Sequence, residues 1–157
     1  MRHSGAATLL ALALAACGGG GGIEIDPNRE LVGTRWNAVL ATPEQLAGAV
    51  QVKGMGWMAG EEDDTTETLA FVTVQNAVPG GEHPWHVHLG QCGSDRGILG
   101  PADAYEPLRV GGNGQAEAKA ELPLPVPIAG QYFINVHASR NNMGTIIACG
   151  NLAPPSR

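Results

Sequence analysis

Between Gln115 and Leu122 the chain alternates without a break: Ala116, Ala118, Ala120 and Leu122 are apolar, while Gln115, Glu117, Lys119 and Glu121 are polar. A period of two puts one set in a core and the other in water, which predicts a strand solvated on one side. Shorter aliphatic and β-branched runs predict strands at 34–41, 49–58, 68–75, 85–88, 131–137 and 145–150. Val110 followed by Gly111-Gly112-Asn113-Gly114 is a hairpin signal leading into the alternating strand. Seven or eight short strands with Gly, Pro and Asn between them predict an all-β fold, an antiparallel sandwich or barrel. Pro123, Pro125 and Pro127 each lack a donor for a ladder, so their segment is expected to run extended over the outside of the sandwich. Pro43-Glu44-Gln45-Leu46-Ala47 allows one helical turn, and the acidic run Glu61-Glu62-Asp63-Asp64 reads as a solvated loop between strands.

The amino terminus follows another pattern. Arg2 and His3 precede an apolar run at 6–16, whose eleven residues are too few to cross about 30 Å of hydrocarbon as a helix. It reads as the core of an export signal. The sequence Leu14-Ala15-Ala16-Cys17 resembles the bacterial lipobox, in which cleavage leaves a lipid-modified Cys17 as the first residue. Gly18 to Gly22 then form a flexible tether. An ordinary secretory signal with a coincidental cysteine is the alternative, and either one exports the domain. The chain therefore divides into a signal at 1–16, a lipidated cysteine and glycine-rich tether at 17–30, and one domain at 31–157. The expected location is the bacterial cell envelope, with the domain held by lipid on Cys17 and facing the periplasm or the exterior.

Composition narrows the function. Only 15% of the 157 residues are charged, against 23 glycines and 11 prolines, which disfavours helical bundles and coiled coils. Fifteen acidic residues against nine basic ones, with no basic cluster, leave no footprint for nucleic acid. With Cys17 set aside, Cys92 and Cys149 are an even pair that an oxidising compartment allows to bridge. Two separate buried thiols are the other reading, and a thiolate metal site lacks any CxxC spacing.

Apart from His3, the histidines lie in His83-Pro84-Trp85-His86-Val87-His88 and at His137. On a strand His86 and His88 share one face while Trp85 and Val87 point to the other, toward the core. His137 ends the apolar run Tyr132-Phe133-Ile134-Asn135-Val136, so a neighbouring strand can bring a third imidazole to the pair. Imidazole suits zinc and copper, whereas magnesium and calcium prefer oxygen, so the set argues for a transition metal. Surface imidazoles with no ligand role are the alternative.

These residues resemble the copper/zinc superoxide dismutases. The segment from Pro79 to His88 is similar to that family's turn leading into His-Gly-Phe-His-Val-His. Ile147-Ala148-Cys149-Gly150 resembles its carboxyl-terminal Leu-Ala-Cys-Gly, Ile134-Asn135-Val136-His137 resembles the strand ending in the last copper histidine, and 112–116 resembles a late hairpin. The resemblance covers about residues 36–152. It implies an immunoglobulin-like, Greek-key β-sandwich or flattened barrel of the superoxide dismutase type, with Cys92 and Cys149 as its disulfide. It further implies copper ligands at His86, His88 and His137, a structural His83 that is not a ligand, and disproportionation of superoxide.

The family pattern breaks in two places. Between Cys92 and Ala116 there is no histidine, so the bridging and zinc-binding residues are missing, and Asp95, Asp103 and Glu106 are weak substitutes. Copper without zinc is the expected cofactor. After His137, Ala138-Ser139-Arg140-Asn141-Asn142-Met143-Gly144 stands where the family has a long electrostatic loop, and Ile146 replaces the family arginine before the last cysteine. Arg140 is the candidate to guide an anion in that arginine's place, with an exposed loop arginine as the alternative. Met143 offers a thioether for Cu(I), against simple packing on the sandwich. Three functions follow: a zinc-free copper superoxide dismutase, a protein that buffers Cu(I) or passes it between a copper donor and acceptor, and a metal-free interaction module of the envelope.

Overall fold

The computed structural model describes residues 35–49, 51–60 and 66–155. The expected signal, Cys17, the tether and the acidic run at 61–64 lie outside the described residues. The strands are β1 (Trp36–Ala41), β2 (Lys53–Gly60), β3 (Thr68–Gln75), β4 (Glu82–His83), β5 (Trp85–Gln91), β6 (Ser94–Ile98), β7 (Leu108–Arg109), β8 (Ala116–Leu122), β9 (Tyr132–Ser139) and β10 (Asn142–Leu152).

Eight of them form one antiparallel sheet in the order β6-β5-β9-β10-β1-β2-β3-β8. The sheet curls into a half-barrel around its own apolar face, as the all-β expectation requires. Strands β1, β2 and β3 run as a meander, whereas β5 beside β9, β10 beside β1, and β8 beside β3 are pairings between strands distant in sequence. The inner face is filled by Trp36, Leu40, Met58, Val72, Trp85, Leu122, Ile134 and Val136, all almost fully buried. Each such side chain stabilises the fold by about 1.5–3 kcal/mol relative to exposure.

The alternation at 115–122 becomes β8, with Ala120 and Leu122 buried and Glu117, Lys119 and Glu121 in water. The turn at 111–114 closes through Gly111 N–H donating to the Gln115 carbonyl (2.9 Å). Yet β7, just before it, pairs with β4 in a separate two-stranded ladder, so the predicted hairpin partner is corrected. Residues 44–46 make one 3-10 turn. The proline segment is no strand and runs over the surface of the fold, with Pro123 and Pro125 exposed and the partly buried Leu124 and Val126 packed against the core. It is fastened by Trp36 Nε1–H donating to the Pro127 carbonyl (2.9 Å) and Thr68 Oγ1–H donating to that of Leu124 (2.8 Å). Cys92 and Cys149 are bridged, which joins the β5–β6 turn to β10.

Candidate metal centre

The site arises where both faces of β9 are buried. Ile134 and Val136 enter the core on one face, while Phe133, Asn135 and His137 emerge on the other. Strand β5 lies alongside in the register His86 opposite Asn135 and His88 opposite Phe133. Trp85 and Val87 are fully buried in the core, so the period of two turns His86 and His88 out beside His137. One ligand atom from each of the three histidines lies within 4.8 Å of the others, and all three side chains are buried. Among the described residues they are the group of histidine, cysteine or acidic side chains able to hold a metal ion.

The hydrogen bonds assign the nitrogens. His137 Nδ1–H donates to the Met143 carbonyl (2.6 Å), leaving its Nε2 as a lone pair. His88 Nδ1–H donates to Asp95 Oδ1 (3.0 Å), again leaving Nε2 as a lone pair. That Nε2 is buried with no hydrogen-bond partner, an orphaned polar atom of the kind a metal satisfies. His86 presents the opposite nitrogen: its Nδ1 lies 3.3 Å from His137 Nε2. Without metal this atom carries the proton and donates it to His137; a bound ion would take its place, the proton moving to Nε2 on the far side of the ring. One Nδ1 and two Nε2 donors thus face a common point.

Two bulges supply the acceptors. The β9–β10 register slips between Asn142 and Ile146 and again before Ala148, so the Met143 carbonyl folds back onto His137. The β5–β6 register slips between His88 and Gly90, with Gly97 at φ +115°, a conformation that glycine adopts freely. That bulge turns the Asp95 carboxylate toward His88, and the Gly97 amide donates to the same oxygen (2.8 Å). Rings close the remaining sides. Phe133 stacks on His88 with centroids 5.2 Å apart, and Tyr105 meets His86 edge-on at 5.1 Å.

The other expected site residues fall around this centre. His83, on β4, is buried behind it, and its Nδ1–H donates to the Ala138 carbonyl (2.9 Å), holding the chain just past His137. Arg140 Nε donates to Glu82 (3.2 Å), which also pairs with Arg109 (3.5 Å). Met143 contributes its carbonyl to His137, and the residue also lines the cleft beside it. A cleft of about 870 Å³ opens beside His137 and reaches the disulfide, walled by the 42–46 segment and residues 143–146. Its charged side chains among the described residues are Glu44 and Asp95, and Arg140 is not part of its wall.

Burial of the His86 and His137 imidazoles disfavours their charged forms. The His86 pKa is pushed down to about 4, first by desolvation and then by His137 and His88, with Asp95 opposing. His137 is lowered chiefly by desolvation, against the Met143 carbonyl. For Asp95, desolvation acts to raise the pKa, but the Gly97 amide and His88 outweigh it and the carboxyl ends below its ordinary value. His86 and His137 are therefore neutral imidazoles at pH 7, the form that ligates metals. Sequence patterning singled out all three histidines of this group, but Asp95, the Met143 carbonyl and Tyr105 carried no local signal for their places around it. Comparison of the chain with protein-family models and with curated proteins gives no match.

Proposed function

We propose that this protein binds copper at His86, His88 and His137 and uses it, without zinc, to convert superoxide to oxygen and hydrogen peroxide. The observation that carries the reading is the convergence of one ring nitrogen from each of three buried histidines, with Nδ1 of His88 and His137 tied to fixed acceptors. Three imidazoles match copper's ligand preference, and the likeness of the surrounding motifs to the copper/zinc superoxide dismutases favours it over other imidazole-binding metals. Bound copper would supply one-electron chemistry, accepting an electron from one superoxide and giving it to a second as two protons are taken up. The chain itself orients the three imidazoles through Asp95 and the Met143 carbonyl, and shields two of them with Phe133 and Tyr105. In this reading the domain sits in the bacterial envelope on a lipidated Cys17, and the bridged Cys92 and Cys149 accord with an oxidising compartment.

A second reading, that the site stores or hands over Cu(I), is favoured by one observation. Among the described residues the cleft beside His137 carries Glu44 and Asp95 and no cation, and the nearby Arg140 is occupied by Glu82, so its charge suits a metal cation better than an anion. Superoxide removal by purified protein loaded with copper alone separates the two. Turnover above that of free copper, abolished in His137→Ala, is the expected result. Stoichiometric copper uptake without turnover would replace it with copper handling, and no uptake would sink both.

A further inference from the structure

The three histidines are held differently. His137 leans on a neutral backbone carbonyl, the far nitrogen of His86 has no hydrogen-bond partner among the described residues, and of the three His88 alone leans on a carboxylate. We propose that Asp95 is a positioning residue that fixes His88 as its Nδ1–H tautomer and biases the site toward Cu(II) over Cu(I). This rests on the copper reading above.

Geometry makes the coupling specific. Asp95 Oδ1 lies 3.0 Å from His88 Nδ1, and the Gly97 amide donates to the same oxygen at 2.8 Å, so the carboxylate is held by its own bulge before it reaches the ring. Phe133 stacked on His88 restrains the ring plane. The tautomer that donates to Asp95 has its lone pair on Nε2, the buried and unpartnered atom. A negative acceptor on the far nitrogen also makes the imidazole a stronger electron donor than a carbonyl would. The added donation stabilises a dication more than a monocation, because the interaction scales with the metal's charge. Asp95 thereby lowers the reduction potential of the bound metal, while its half-exposed side chain remains in the cleft wall.

Asp95→Asn keeps the shape and an oxygen for the Gly97 amide but removes the charge, so it separates the electrostatic role from the folding role. Asp95→Ala removes both, and Asp103→Asn, on the exposed 3-10 turn, is the control. Competition against chelators should show the Cu(II) affinity of Asp95→Asn falling about 10–100-fold with Cu(I) affinity changing less than about threefold. A tenfold change in that ratio corresponds to a rise of about 59 mV in the one-electron potential. Nitrogen-15 NMR of the metal-free wild type should show His88 protonated at Nδ1, a preference lost in Asp95→Ala. An unchanged Cu(II)/Cu(I) affinity ratio in Asp95→Asn, or a wild-type His88 protonated at Nε2, would overturn the proposal. Wild-type protein that takes up neither copper ion would instead sink the copper reading, and the tautomer of His88 would still decide the orienting role.

Discussion

His86 Nδ1 and His137 Nε2 stand 3.3 Å apart although 51 positions separate the two residues in sequence. The closeness depends on β5 and β9 being neighbours in the sheet and on the bulge that lets Met143 hold the His137 ring from behind. Two buried, neutral imidazoles meeting in this way have a direct consequence for pH.

In the unfolded chain His86 titrates near 6.5, and in the folded metal-free protein near 4. Between those values the unfolded state binds more protons, so the His86 contribution to stability falls as pH drops from about 6.5 and levels off below about 4. The lowered pKa of His137 acts in the same direction. His86 contributes up to about 3 kcal/mol to this loss. Urea midpoints of metal-free protein from pH 7 to 4 should show the decline, and His86→Gln should flatten it; a wild-type midpoint independent of pH would contradict the assignment.

The Cys92–Cys149 bridge closes a sequence separation of 57 and anchors the turn next to the Asp95 bulge. On the chain-entropy account its loss costs about 4 kcal/mol. Reductant, or Cys92→Ser with Cys149→Ser, should lower the thermal midpoint markedly. A midpoint insensitive to reduction would mean the bridge contributes nothing to stability.

Gly97 adopts φ +115° with open space around the position a Cβ would take. Gly97→Ala therefore meets only backbone strain, costing about 1–2 kcal/mol, which a flattened bulge can relieve. Flattening moves Asp95 off His88, so copper affinity should fall together with stability. Gly48→Ala, at φ +109° and also in open space, should cost similar stability and leave copper affinity intact. Equal effects of both variants on copper would rule out the link through Asp95.

Arg140 and Glu82 form an exposed pair, so Arg140→Ala should change stability by less than about 1 kcal/mol. Because Glu82 already neutralises that guanidinium, superoxide turnover and its salt dependence should stay near wild type in Arg140→Ala. Glu82→Gln frees Arg140, while Arg109 keeps its longer pair with Glu106 (4.0 Å), and should raise the turnover at low salt. A strong loss in Arg140→Ala would instead establish that residue as the anion guide.

Local patterning determined a good deal of this protein. The 68–75 strand and the alternating β8 follow from a side-chain period of two, and so does the shared face of His86 and His88, because the core claims Trp85 and Val87. Strand β6 escaped that reading because Ser94–Ile98 is an edge strand with almost no buried face and hence no alternation. Strands β4 and β7 are two residues each, too short for any period. The tertiary structure alone decided which nitrogens face the centre, since Asp95 reaches His88 through one register slip and the Met143 carbonyl reaches His137 through another. It also placed Arg140 on Glu82 and the proline segment on the core. The division has a simple cause: periodicity records which face of a strand is buried, whereas bulges and partners depend on the neighbouring strand, whose identity is set by the closure of the whole sheet.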